Sequence, residues 1–345
     1  MKRISSLWKH PYIGRVGIFL IAIALILGTV TCAPALTKPT LYCLTMTVNP
    51  SGGGRTFPSA TGTGGPYCCP GGWPVFISAT PIGWYLFASW TAVPLLTFGN
   101  ANASETTFVM PANNVTVTAH FVPLDHFKCY TVLNSSSVEK VVGLKDQINN
   151  WGNITVTEAE FFCNPAQKLY NNVTTNITNP NHHLTVYDIT TGYENVTRWS
   201  MWQVLVTNQF GTQNLNVTGP PVALAVPTWK LNPGNHSAPV GLDHFLLYKV
   251  IGSSIMNVGV GLSDEFGGGG QTYKMYAALY FATPVQKTYD GNVVNITAPE
   301  ALLVFYEIEA GSFQGVVQVN NQFGNQTLYM GNATLLAVPS KQVYT

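Results

Sequence analysis

The second half of this chain is written twice. VLVTNQFGTQNLNV (204–217) returns as VVQVNNQFGNQTLYM (316–330), DHFKCYTV (125–132) as DHFLLYKV (243–250), and VGLKDQI (142–148) as VGLSDEF (260–266). FFCNPAQK (161–168) returns as YFATPVQK (280–287), NPNHHLTVYDI (179–189) as APEALLVFYEI (298–308), and LAVPTWK (224–230) as LAVPSK (336–341). Two tandem copies follow, over 125–230 and 243–341, and such repetition constrains the fold before any single motif does. Each copy divides again. Tyr130, Tyr187, Tyr248 and Tyr306 end equivalent apolar runs, and Gln147, Gln209, Glu265 and Gln322 each stand between an Asp or Asn and an Ile or Phe. Pro165, Pro227, Pro284 and Pro339 close the third run of each unit and precede Lys168, Lys230, Lys287 and Lys341. The result is four strand–hairpin–strand quarters. A quarter cannot cover its apolar face alone, so the quarters of a copy are expected to pair as a β-sandwich or barrel. The Asn-Gln-Phe-Gly segments then fall at hairpin bends, where Gly211 and Gly324 permit positive φ and the amides satisfy turn backbone groups.

Outside an N-terminal leader, no stretch keeps helical periodicity. Short runs such as LTMTVN, VTVTAHF and HLTVYDI alternate or are continuously apolar between Gly, Pro and Asn, so the mature protein reads as all-β. Only 9% of the 345 residues are charged, and the net charge is +1. Roughly 25% is usual for soluble proteins. The surface must therefore be hydrated by neutral groups or by something attached to them, and the basic stripe that nucleic acid requires is absent.

Lys2, Arg3, Lys9 and Arg15 precede an apolar run from Val16 to Val30 that ends near the small residues Ala33 and Ala35. Residues 1–35 thus read as a signal peptide or, extended through Leu36, as an N-terminal membrane anchor, the only membrane contact expected. Export is supported by twelve Asn-x-Ser/Thr triplets, at Asn102, Asn114, Asn134, Asn153, Asn172, Asn176, Asn195, Asn216, Asn235, Asn295, Asn325 and Asn332. Chance predicts about four, and N-glycosylation of an extracellular or cell-surface protein is the reading that accounts for both features.

Residues 41–122 form a unit of their own: LYCLTMTVN, a Gly-rich turn region, ATPIGWYLFASW, then FVMPANNVTVTAHF. In that order these motifs resemble the divergent internalin-type B-repeat of secreted bacterial and archaeal proteins. The resemblance implies a small extracellular β module used as a spacer or adhesion element. Trp84, Phe87 and Trp90 are expected to fill its core, with Asn113-Asn114 turning the chain into its last strand. The copies at 125–230 and 243–341, marked by DHFKCY, Asn-Pro after a Cys, and NQFG, resemble a domain family of unknown function from secreted archaeal and bacterial proteins. Members of that family carry further Cys at the positions of Val186 and Ala225, and the resemblance lends no activity.

Six Cys in an exported chain argue for disulfides. Where the first quarter has Cys129 and Cys163, the others have Val186 with Ala225, Leu247 with Ala282, and Phe305 with Ala337. Both partners are missing together each time, which predicts a Cys129–Cys163 bridge worth about 3–4 kcal/mol. Of Cys68 and Cys69, one is expected to bond Cys43, leaving an odd thiol for Cys32 or for another chain. No Cys-x-x-Cys metal spacing occurs.

Asp125-His126 and Asp243-His244 pair a carboxylate with an imidazole, yet strand neighbours point to opposite faces, so a structural role at the domain edge is expected instead. Asn181-His182-His183 offers metal ligands that Glu300-Ala301-Leu302 does not repeat. Glu158 with Glu160, and Glu307 with Glu309, share strand faces at roughly 7 Å, near the spacing of inverting glycosidases. Solvated charge explains them equally well. Gly267 to Gly270 lack the Gly-Lys-Ser/Thr ending of a phosphate loop and are assigned to a hairpin. The expectation is a non-catalytic structural or interaction protein without metal or cofactor, able to self-associate or to meet cell-surface proteins or glycans. The alternatives are a carbohydrate-binding adhesin stacking sugars on Trp199, Trp202 and Trp229, and a secreted hydrolase using the Glu pairs.

Overall fold

The computed structural model describes residues 38–60, 67–190, 192, 201–234 and 236–344. The leader expected over 1–35, the acceptors Asn195 and Asn235, and Trp199 fall outside them. The first module comprises β1 (Leu41–Asn49), β2 (Gly54–Phe57), β3 (Tyr67–Pro70), β4 (Pro74–Pro81), β5 (Tyr85–Val93), β6 (Glu105–Val109) and β7 (Val115–Pro123). They form two sheets, β3-β1-β7-β5 with β1 and β7 parallel, and β2-β4-β6. Alternation along β4 and β7 buries every second residue, so Val75, Ile77, Val117 and Phe121 join Leu44, Met46 and Trp90 in one core. Phe87 packs at its edge. Trp84 departs from expectation: it is half-buried outside this core, with Lys341 Nζ 5.5 Å from its ring centre.

The first quarter consists of β8 (His126–Asn134), β9 (Lys140–Asp146) and β10 (Asn150–Tyr170), followed by the short β11 (Val173–Thr175). The second is β12 (His183–Thr190), β13 (Trp202–Asn208) and β14 (Gly211–Asn232). The third is β15 (His244–Ile251), β16 (Val258–Asp264) and β17 (Gly267–Tyr289), followed by β18 (Asn292–Val294), and the fourth is β19 (Leu302–Gly311), β20 (Gly315–Asn321) and β21 (Gly324–Gln342). Each quarter's first strand pairs with its own last strand, and each last strand pairs with the next quarter's first. Finally β21 returns to β8, with Leu335 opposite Cys129 and Ala337 opposite Phe127. The ring β8-β10-β12-β14-β15-β17-β19-β21 is therefore a closed antiparallel barrel.

Two separate sandwiches or barrels were the expectation, and one barrel built from both copies is the result. The reason is geometric. Two quarters supply four wall strands, which would leave open edges, whereas eight strands close around an interior that side chains fill. That interior holds Phe127, Phe245, Phe305, Leu184, Leu247, Leu303 and the Cys129–Cys163 disulfide. Leu86 of β5 and Leu124 join the same cluster beside Leu242, so the first module plugs the mouth where the wall strands begin.

The middle strand of each quarter and the first half of its long last strand make a hairpin arm that folds over the barrel's outer face. Arm residues such as Leu144, Val206, Leu262 and Val319 thereby bury wall residues such as Phe162, Leu224, Phe281 and Leu336. Register shifts in β10, β14, β17 and β21 mark where the strands bend from arm to wall. Each arm crosses to the opposite quarter. Lys145 of β9 pairs with Gln286, Leu262 of β16 with Lys168, Thr207 of β13 with Lys341, and Val319 of β20 with Lys230.

Candidate functional site

Each arm ends in a tight turn, and in three of the four the first residue caps that turn. Asp146 Oδ1 accepts Ile148 N–H and Asn149 N–H, Asn208 Oδ1 accepts Phe210 N–H, and Asn321 Oδ1 accepts Phe323 N–H, as the repeated amides predict. Gly211 and Gly324 follow with φ of 105° and 101°. In all four turns the first residue also reaches the recurrent tyrosine of the opposite quarter. Tyr130 Oη–H donates to Asp264 at 2.9 Å and Tyr248 Oη–H to Asp146 at 2.5 Å, while Asn208 Nδ2 donates to Tyr306 Oη at 2.9 Å and Asn321 Nδ2 to Tyr187 Oη at 2.8 Å. Tyr187 Oη–H in turn donates to Gln326. All four rings are buried, and burial raises every phenol's pKa. For Tyr130 and Tyr248 the carboxylate adds to the rise.

The second and third turn residues meet a histidine and a lysine of yet another quarter. His244 Nε2–H donates to Gln322 Oε1 at 2.9 Å, and Lys287 Nζ lies 5.7 Å from the centre of the Phe323 ring. Lys168 Nζ lies 5.5 Å from Phe210, and Lys230 Nζ 4.7 Å from Phe266. Burial, then a neighbouring lysine, lowers the pKa of His126 and His244 to about 3. Burial lowers Lys168 and Lys287 to about 8. The fourth site differs, with Leu302 in the histidine position and Ile148 at the turn. Lys341 stands one residue closer to its proline than the other three lysines do. It is exposed over Trp84, so its proposed equivalence to Lys168, Lys230 and Lys287 fails.

Glu265 is the one acid where the other turns have Gln. Its side chain is 29% exposed and gathers His183 Nε2–H at 2.9 Å, Lys230 Nζ at 2.5 Å and His236 Nε2–H at 2.8 Å. Burial pushes its pKa up, but hydrogen bonds from His183 and Lys230 outweigh that and bring it to about 2. His183, His236 and Glu265 present ligand atoms within 4.8 Å of one another, a metal-compatible set. The buried Lys230 already pairs with the same carboxylate. The sequence had paired His183 with His182, whose Nε2 instead donates to the Val240 carbonyl at 2.9 Å. His236 lies between the two copies and has no repeat counterpart to flag it. Glu265 was legible as the odd acid among glutamines.

The Asp-His neighbours take separate partners: each Asp stands just before the strand that its His opens. Asp125 accepts Thr178 N–H, Thr178 Oγ1–H and Asn179 N–H, and Asp243 accepts Thr297 N–H, Thr297 Oγ1–H and Ala298 N–H. Both tie down the loop that follows β11 or β18. Glu158, Glu160, Glu307 and Glu309 are exposed. Partial desolvation against its neighbours, then Asp188 on a different strand, raises the pKa of Glu160, and Glu158 has no part in it. The turn at 265–266 precedes the glycine run, so Gly267 to Gly270 open β17. Trp202 and Trp229 are half-buried: Trp202 packs edge-on to Tyr248, and Trp229 Nε1–H donates to the His236 carbonyl.

Cys43 bonds Cys68, its register partner, and Cys129 bonds Cys163. Cys69 is the odd thiol. It points to the opposite face of β3, into the module's core, and stays a buried free thiol. Among the ten described acceptor asparagines, Asn102, Asn114, Asn134, Asn153, Asn172, Asn176, Asn295, Asn325 and Asn332 are exposed and Asn216 is half-buried.

Comparison with known families gives two matches. Residues 96–216 and 200–339 match a family described as "Repeat of unknown function (DUF7450)", which together spans well over half the chain, and residues 44–124 match the "Divergent InlB B-repeat domain". No curated protein and no solved structure matches.

Proposed function

Starting from a chain that belongs to the repeat family of unknown function described as DUF7450, we propose a non-catalytic, N-glycosylated structural or interaction protein of the cell surface or extracellular space. One observation carries the reading: the residues that recur in all four quarters are spent on one another. The four buried tyrosine rings and the turn Asp and Asn residues hydrogen-bond to one another within the protein. A repeated catalytic or binding centre would need them at solvent. The B-repeat match and two disulfides favour an oxidising, extracytoplasmic setting. Nine exposed acceptor asparagines on a surface with few charges favour glycans as its source of hydration. Surface biotinylation of intact cells combined with glycopeptide mapping tests this. Labelled protein bearing glycans at exposed acceptors such as Asn134, Asn153 and Asn325 is the expected outcome. Protein confined to the cytoplasm, with every acceptor bare, would refute it.

A further inference from the structure

Lys128 of β8 and Asn164 of β10 stand directly opposite each other in the antiparallel register, so both side chains leave the same face of the barrel wall. They occupy the outer face, one step from the disulfide pair on the inner face. Both are buried, at 3% and 0% exposure. One carboxylate receives both. Asp264, at the tip of the arm from the third quarter, lies 3.6 Å from Lys128 Nζ through Oδ1 and accepts Asn164 Nδ2–H at 3.1 Å through Oδ2. Tyr130 Oη–H also donates to this carboxylate. The surroundings are aromatic: Lys128 Nζ is 5.2 Å from the centre of the Tyr130 ring and 4.9 Å from that of Tyr273, and Phe266 and Phe313 pack on Tyr130. Asn164 Oδ1 has no donor, which is unusual for a buried carbonyl oxygen.

A merely structural ion pair does not account for the third member. At the register positions equivalent to Lys128 and Asn164, the other quarters pair Thr185 with Val226, Leu246 with Thr283, and Val304 with Val338. Amine and carboxamide are absent together every time, the all-or-none pattern that the bonded cysteines show.

We propose that Lys128 and Asn164 are joined by an intramolecular amide bond that the folded protein forms itself, with Asp264 as the proton carrier. In the first step the Lys128 ammonium passes a proton to Asp264, leaving Nζ with the free electron pair that an attack requires. Nζ attacks Asn164 Cγ, whose oxygen can take the proton-bearing carboxyl as its missing donor once the carboxamide turns over. The Nζ–Cγ bond forms and the Cγ–Nδ2 bond breaks. One of the three Nζ protons stays on the new amide, and the other two leave on Nδ2 as ammonium, which returns Asp264 to a carboxylate. No electron donor or acceptor is involved. Pro165 has no N–H, so the cyclic imide that also expels ammonia is closed to Asn164.

This inference goes beyond the surface role and does not depend on it. Its test is peptide mapping of the full chain after reduction and tryptic digestion. The expected product is one branched peptide containing Lys128 and Asn164, lighter by one ammonia than its two arms, with no cleavage after Lys128. Asp264→Asn should yield the two linear peptides instead, and Lys128→Arg should leave Asn164 unmodified. Wild-type protein that releases linear peptides with free Lys128 and intact Asn164 would overturn the proposal whether or not the variants fold. Equal branching in Asp264→Asn, or ammonia loss at Asn164 persisting in Lys128→Arg, would overturn it as well.

Discussion

A buried hydroxyl must find its partner inside the protein, and the four recurrent tyrosines each find one on an arm from the opposite side of the barrel. Tyr248→Phe leaves Asp146 with one donor fewer in a dry site and should cost about 1–3 kcal/mol in denaturant unfolding. The histidines at the neighbouring sites predict the acid behaviour. His126 and His244 titrate near 3 in the folded protein against an ordinary 6.5, so the unfolded chain binds the proton first. Their contribution is complete above about 6.5 and is lost as the pH falls from there towards 3. The fourth quarter indicates the substitution to make, because Leu302 already fills the equivalent place. His126→Leu with His244→Leu should keep the fold and flatten the stability profile between pH 6.5 and 3, measured by urea unfolding at a series of pH values. Glu265 acts in a lower window: its pKa falls from 4.5 to about 2, so its stabilisation is present above 4.5 and is lost as the pH drops through 2. Glu265→Gln should remove that lower step.

At the level of the elements, each quarter is a long bent strand with two partners, and the tight turn at the arm's tip decides whether the arm lands on its target. Gly211 and Gly324 meet nothing that a Cβ would strike, yet their φ exceeds 100°, so an alanine at either site is strained by backbone conformation alone. Gly211→Ala and Gly324→Ala should each cost about 1–2 kcal/mol in thermal or chemical unfolding, without altering the disulfide pattern. This level was also the most legible in the sequence. Strand alternation, the turn residues and the paired loss of Cys129 and Cys163 are local signals, and the structure follows them. The destination of each arm was not legible. Which quarter receives Asp264 or Glu265 depends on barrel closure, and nothing within one quarter encodes it. Lys341 was misplaced for a related reason: letter matching tolerated a one-residue slip that, in a strand, turns the side chain to the other face.

For the whole molecule, the repeat pattern announced four similar units but pointed to one core per copy, where the structure has one barrel shared by both. That sharing rests on the pairings of β8 with β21 and of β14 with β15, which join the copies into one wall. A copy expressed alone, over 125–232, would carry two unpaired wall edges and is expected to be unfolded or to close a barrel with a second molecule of itself, as sedimentation would reveal. The most direct test of a shared barrel is native-state hydrogen exchange, read by mass spectrometry across a denaturant series. The wall strands β8, β10, β12 and β14 of one copy and β15, β17, β19 and β21 of the other should lose protection together in one cooperative transition. Two transitions separated at the junction of the copies, with either set of strands opening while the other stays closed, would contradict the account.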